Sequence, residues 1–388
     1  MTSELFTALP LRTGQVLRNR IAKAAMEENM AGDGQLPDRR LPTLYRRWAA
    51  GGAGLLITGN VMVHAEALTG PGGVVLDEHA PLEPFAAWAE AGKSAGGAIW
   101  MQINHPGRQV PSGMPGVVWG PSDIAVDLGR HSGRFGRPTA MTPRQIEDTV
   151  ARFAVTARRA EEAGFDGVEV HAAHGYLLSQ FLSPLVNTRT DRWGGSLENR
   201  ARLLLDVVRA VRAGRPADDR TTAREAYFLH LAEELVGTSA LPLMLTGGIT
   251  RRATAERVLD SGVAVVGMGT ELAVTPDLPD RWRDDREADR RMAPVTWSDK
   301  TLASAAGMAQ VRHQMRRLAR GAAPRPGTHP ALALLSEQRK QRAALRRYRA
   351  WLSGDRRGGE LPGTRARSGG DLIVLTHDTA AERRRGGK

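Results

Sequence analysis

Two histidines three residues apart, with a tyrosine two further on, are the side chains of this sequence best placed to do chemistry: His171, His174 and Tyr176. They open the stretch HAAHGYLLSQFLSPLVNTRTDRWGGSLENR, residues 171–200, directly behind the apolar run GFDGVEVH. With His171 closing that run and His174 in the following turn, two imidazole N–H donors can be aimed at one oxygen atom. Donors fixed in this way stabilise negative charge as it develops on a carbonyl or nitro oxygen. The polarisation makes an adjacent C=C electrophilic toward hydride, and the phenol of Tyr176 can then protonate the other carbon. No side chain supplies a hydride, so such chemistry needs a redox cofactor. A metal site is not expected, because the histidine pair lacks a third ligand at matching spacing. The chain has no cysteine, which removes disulfides, thiol nucleophiles and thiolate-held metals.

Positioning these groups takes a scaffold, and one unit recurs along the chain. A glycine precedes an apolar run, the run stops at a polar or glycine residue, and a helical pattern follows. The runs lie at 19–26, 51–58, 96–104, 164–171, 241–248 and 262–269 and read as buried parallel strands. Between them PLEPFAAWAEAGKSA, TPRQIEDTVARFAVTARRAEEAG, SLENRARLLLDVVRAVRAG and TRRATAERVLDSG read as helices, several opening on Thr or Ser at the N-cap. Strand alternating with helix predicts an α/β fold with a parallel sheet. Polar residues at the strand ends favour a TIM-type (β/α)8 barrel with its site on the C-terminal rim. Six strands are recognisable. A βα unit takes roughly 30 residues, so two further units do not fit between Gly214 and Leu241, where the sequence offers one helix near 221–236.

The net charge of +12 is unevenly placed. Residues 301–388 hold 19 Lys and Arg against 6 Asp and Glu, leaving 35 against 36 in the first 300. Within this region QVRHQMRRLARG and SEQRKQRAALRRYRAWL carry apolar residues at helical spacing, which predicts packed helices with a solvated basic face. No aromatic stacking pattern or nucleic-acid motif accompanies the arginines, so nucleic acid is not an expected partner. From Ser353 onward the composition is that of a basic, disordered tail. The expected division is thus a barrel domain over 1–300, a helical extension over 301–352 and a tail over 353–388. No apolar run is long enough to span a bilayer. The N-terminal MTSELFTALPLRTG lacks the features of a signal peptide, so no membrane partner and a cytoplasmic location are expected.

Taken together, HAAHGYLLSQFLSPLVNTRTDRWGGSLENR, NRIAKAAM, GGAGLLITG, QINHPGR and AGFDGVEVH resemble the old yellow enzyme family of FMN-dependent oxidoreductases, NADH:flavin oxidoreductases and ene-reductases. The likeness covers most of residues 5–212 and resumes over about 221–350. It implies FMN as cofactor, NAD(P)H as reductant and a small electrophilic substrate such as an activated alkene. His171 and His174 would bind the substrate oxygen, and Tyr176 would give the proton. Gln102 would pair with the flavin pyrimidine through its amide. Ala25, Met26, Glu27 and Gly59 would line the ring, while Gly247, Gly248, Gly269 and Thr270 would cradle the phosphate.

Three departures stand against the family pattern. Glu27 occupies a position where many relatives have Thr, Ser or Cys, and an acid there disfavours anionic reduced flavin unless it is protonated or turned away. Thr270 stands where an arginine typically binds phosphate, so charge assistance is lost. The family's fifth and sixth strands are missing through an apparent deletion near 213–220, and the fifth carries a cation beside the flavin. Three readings therefore stay open: the oxidoreductase, a member with weak or no FMN binding and little catalysis, and a non-enzymatic binding protein with a basic tail. A homo-oligomer also stays open.

Overall fold

The structure is a computed structural model and describes residues 3–213, 241–289 and 291–354. The helix expected near 221–236 and the tail beyond Gly354 lie outside these residues. Each of the six apolar runs contains a strand: β1 (Ile21–Lys23), β2 (Leu55–Ile57), β3 (Ala98–Asn104), β4 (Gly167–Val170), β5 (Met244–Thr246) and β6 (Val265–Met268). They pair in parallel in the order β5–β6–β1–β2–β3–β4. This is the arc of a (β/α) barrel. Among the described residues it is open between β4 and β5, the place where the sequence lacks two units. All three residues of β5 are only half-buried, whereas β1, β2 and β3 are buried throughout.

Alternation along the strands sorts side chains onto two faces. Ala22, Leu55, Ile57, Ala98, Trp100 and Val265 form one apolar cluster on the inner face. A hairpin of Leu9–Pro10 with Val16–Leu17 joins it, placing Leu11 and Leu17 in the same cluster. On the outer face Ile21, Leu56, Ile99, Met101, Ile103 and Val266 pack against helices. The parity then dictates that Gln102 and Asn104 follow Trp100 on the inner face. Glu169 is the register partner of Gln102, and His171 follows it.

The four helices read between the strands are α2 (Glu83–Lys93), α3 (Pro143–Glu162), α5 (Leu197–Arg212) and α6 (Arg252–Asp260). Thr142 makes a full capping box with Gln145, and Ser196 accepts from the Asn199 amide. Residue 251, an arginine, is the N-cap of α6 and makes no side-chain cap bond, so the threonine expected to open that helix does not cap it. The sequence reading did not include α1 (Arg40–Ala49), nor the short helices α4 (Leu177–Leu182), α7 (Thr270–Val274) and α8 (Leu278–Arg283). It also missed Val61–Met62, which pairs with the end of β3.

The basic C-terminal region forms α9 (Lys300–Leu318) and α10 (Pro330–Ser353). Their arginine-bearing faces are not simply solvated. The side chains of Arg312 and Arg316 are largely buried, and Tyr348 of α10 donates to the Ala65 carbonyl at 2.9 Å. Among the described residues no helix is long and apolar enough to cross a membrane.

Candidate active site

The backbone ladder continues one residue past β4, with the His171 amide donating to Ile103 O at 3.1 Å. The chain then turns sharply. His174 adopts φ of +54° and Gly175 +68°, a left-handed pair that few residues other than glycine reach readily. Gln109 holds the turn through the His174 carbonyl at 2.7 Å, and Gln180 through the Gly175 carbonyl at 2.7 Å. Tyr176 is the N-cap of α4. Folding this way brings three rings together: those of His171 and His174 lie 5.0 Å apart at 78°, and those of His171 and Tyr176 lie 5.1 Å apart at 74°.

His174 Nδ1 and His171 Nε2 are 3.1 Å apart and hydrogen-bonded to each other, rather than standing as two free donors. That spacing is nonetheless one side of a triangle whose third corner accepts an acceptor atom about 2.8–3.0 Å from each nitrogen. A ligand oxygen there replaces the mutual bond, provided each imidazole carries its proton on the nitrogen facing it. Burial, and then the neighbouring His174, lower the His171 pKa to about 3, so this imidazole is neutral at physiological pH. Tyr176 is pushed well up, first by burial and next by Glu27; Arg312 and a hydrogen bond from Asn60 act the other way. The Asn60 Oδ1 has no partner among the described residues, so its amide N–H is the group that reaches the phenol oxygen.

Asn60 owes its place to an interruption in β2. Ile57 pairs with Trp100 and Val61 with Ile103, the Thr58 amide still donates to the Trp100 carbonyl at 2.9 Å, and Gly59 and Asn60 leave the ladder. There Thr58 Oγ1 accepts from the Gln102 amide at 2.9 Å. Gly59 packs so tightly that a Cβ would fall 2.1 Å from Glu28 Oε2 and 2.3 Å from Met26 O. Its glycine is thus demanded by the protein's own strand ends.

Glu27 does not stand as a free acid. It is ion-paired with Arg312 of α9 and accepts from the Thr69 hydroxyl, and Arg312 Nε also donates to the Glu27 carbonyl at 3.2 Å. Arg312 reaches Glu337 of α10 as well, at 3.5 Å. The C-terminal helices therefore supply a cation that neutralises Glu27 and faces Tyr176.

Several features bear on whether these residues suit FMN. Gly247 and Gly248, just past β5, have φ of +122° and +66° with nothing within 4 Å of where a Cβ would stand. Gly269 leads directly into α7 at Thr270, and Met26 lies 3.5 Å from the Cβ position of Gly269. Ala25 packs on the inner apolar cluster. Gln102 Nε2 donates to Glu169 Oε1 at 3.1 Å, while Glu169 Oε2 and both amide atoms of Asn104 are buried without a partner among the described residues. A polar-edged planar ligand satisfies such orphaned groups, and a glycine pair with open space in front suits a phosphate. The residues present fit FMN. Among the described residues no side chain is assigned as a counterpart of the cation expected on the missing strand. Lys23 is not one, because its ammonium lies on the outer face against Tyr45 and Trp48.

Glu169 carries a pH prediction. Burial raises its pKa to about 8, against weaker opposition from the Gln102 hydrogen bond and Lys23. A folded pKa above the unfolded one means that the folded chain binds the proton more tightly, so this contribution to stability is complete at low pH and declines from about pH 5 to 8. In Glu169→Gln that decline is absent, so the stability difference between variant and parent changes across this pH range, as measured by thermal unfolding. A parallel pH dependence in the two proteins contradicts the assignment.

The NADH:flavin oxidoreductase / NADH oxidase family model matches residues 4–228. An NADH-dependent flavin oxidoreductase of Hypocrea jecorina (strain QM6a) is 32% identical over 355 residues, spanning 71% of this chain and 88% of that protein. The chain belongs to this family. It is accordingly an oxidoreductase working through FMN with a reduced nicotinamide as electron source. Three further fungal relatives, also NADH-dependent flavin oxidoreductases, are matched over 30% to 55% of their length. Among solved structures, morphinone reductase is similar with a TM-score of 0.64 at 25% identity, over 75% of this chain and 92% of that one. An old yellow enzyme homologue from Zymomonas mobilis gives 0.63 at 26%, over 75% and 95%. These neighbours fit the barrel architecture expected from the strand pattern.

For this flavin oxidoreductase, sequence reasoning did not find Asn60, Asn104, Glu169 or Arg312. Asn104 and Glu169 carried a signal, since each is two residues from a residue already chosen on an alternating strand. Arg312 carried none that could name Glu27 as its partner, 285 residues away.

Proposed function

We propose that this protein passes hydride from NAD(P)H through FMN to an activated alkene or similar electrophilic acceptor. The observation that carries the reading is the convergence of His171, His174 and Tyr176 beside the inner-face groups Gln102 and Asn104. His171 and His174 grip the substrate oxygen, and charge growing there strengthens both hydrogen bonds in the transition state. Tyr176, held by Asn60 and kept protonated by burial, gives its proton to the carbon not attacked. Gly247, Gly248, Gly269 and Thr270 hold the phosphate of FMN, and Gln102 meets its pyrimidine edge. When bound, FMN supplies the hydride. The Glu27–Arg312 pair keeps a net negative charge from accumulating at the end of β1.

Absorbance of the purified protein before and after adding FMN, followed by anaerobic kinetics of the two half-reactions, tests the proposal. His174→Ala is expected to weaken binding of a phenolate ligand by roughly 10–100-fold, as loss of one donor to a charged oxygen does, with FMN retained. Loss of FMN instead removes His174 from the substrate side.

A second reading, a member that holds FMN weakly, draws on the side between β4 and β5 that is open among the described residues. Folded, colourless protein that takes up no added FMN selects it.

A further inference from the structure

The helical extension carries a feature that the flavin reaction does not use. Arg312, Arg316 and Arg320 are spaced four apart along α9 and its end, forming a stripe. Arg312 turns to Glu27, as described. Arg316 and Arg320 instead border a cavity of about 160 Å³ between α9, α10 and the start of α1. That is some tenfold more than the roughly 10–15 Å³ a single water requires by this measure.

Its charged lining is entirely cationic: Arg40, Arg316, Arg320, Lys340 and Arg347. Ala343, Ala344, Asn29 and Gly72 also line it. The nearby carboxylates leave this charge partly uncompensated. Glu337 takes Arg316, Asp38 takes Arg40 at 2.6 Å, and the exposed Asp33 reaches Arg347 at 3.5 Å. Lys340 spends a bond on the Ser336 hydroxyl of its own helix. The Arg320 side chain makes no hydrogen bond or ion pair among the described residues, its backbone amide alone donating to Arg317 O at 3.0 Å. Crowding is felt by the neighbours: burial, then Arg316, lower the Lys340 pKa, and burial, then Lys340, lower that of His313. The charge left without a carboxylate, that of Lys340 and Arg320 above all, is unfavourable around a cavity unless an anion enters it.

We propose that this cavity binds a phosphate group, either inorganic phosphate or the phosphate monoester of a small ligand such as the 2′-phosphate of NADPH. A concave site of this size lined by guanidinium and ammonium groups matches a compact tetrahedral dianion. An extended polyanion would instead call for a surface stripe. Arg316 is pre-oriented by Glu337, the carboxylate it shares with Arg312, so little side-chain freedom is lost on binding.

Calorimetric titration of the full chain, loaded with FMN, with inorganic phosphate at ionic strength held constant by chloride tests the site. One saturable site is expected. In Arg320→Gln/Lys340→Gln the affinity falls about tenfold or more, while Arg320→Lys/Lys340→Arg stays within a few-fold of the parent. Unsaturable uptake, or saturable binding unchanged by the Gln pair, overturns the proposal, the latter because the phosphate then sits elsewhere. Parallel titrations with NADPH and NADH separate the sources. A preference for NADPH that the Gln pair abolishes identifies the 2′-phosphate, whereas equal affinities with phosphate still saturating identify the free ion.

Discussion

Tyr176→Phe is expected to slow reduction of an activated alkene by about 10²–10⁴-fold, the range for loss of a positioned general acid, while flavin reduction by the nicotinamide stays within a few-fold of the parent. The asymmetry follows from the site. The phenol touches His171 through its ring and Asn60 through its oxygen, so its removal alters the end where a proton is delivered. Its pKa is pushed far above neutrality, hence the proton is present throughout the working pH range and no rise of rate with pH is expected from this group. Phenylalanine keeps the ring and its edge contact with His171, so the fold of the turn is preserved. Stopped-flow measurement of the two half-reactions separates the outcomes, and equal slowing of both rules out a dedicated proton donor.

The second large effect is on stability. Glu28→Ala is expected to destabilise the fold by about 3–5 kcal/mol, the cost of stranding one member of a buried ion pair. Lys23 is fully buried, with its ammonium 3.9 Å from Glu28 Oε1, 3.0 Å from the Tyr45 hydroxyl and 2.6 Å from Ile57 O. The same carboxylate oxygen accepts from Tyr45 and, at 3.1 Å, from the Gly59 amide. Burial already lowers the Lys23 pKa to about 8, with Glu28 the larger of the two opposing charges. Without Glu28 the folded-state pKa of Lys23 falls further, so this loss is greatest well below pH 8, shrinks as the pH approaches 8 and is gone above it. Adding Lys23→Met to Glu28→Ala recovers much of the stability, since the stranded charge is gone. Denaturant unfolding of the single and double variants decides the matter: if both are equally unstable, the ion pair is not the cause.

Much of the fold was legible because it rests on local rules. Runs such as GGAGLLIT and GVAVVGMG are apolar on both faces, and a strand covered on both sides accommodates that. Thr142 and Ser196 announced their helices because a capping side chain bonds the backbone two or three residues away. The alternating strand allowed the inner face of β3 to be continued from Gln102, although Asn104 was not drawn from it. By contrast α1 was not read, since RLPTLYRRWA places a proline and three arginines among the apolar residues that it buries. Val61–Met62 escaped because two residues give no periodicity.

The charge pattern divides in the same way. That the basic excess lies beyond residue 300 is a matter of counting. Which arginines are buried is not, since a helix of arginines spaced three and four apart reads alike whether it meets water or a carboxylate.

By itself the sequence determined the parallel α/β scaffold, the shortage of two βα units, and the grouping of His171, His174 and Tyr176, because each depends on residues close together in the chain. Tertiary structure alone decided that Glu27 is neutralised by Arg312, that Asn60 reaches the Tyr176 phenol, and that Lys23 turns outward to Glu28. These are pairings between distant segments, set by which strand ends and helix faces the packed core brings within a few ångströms, and no local pattern encodes that distance.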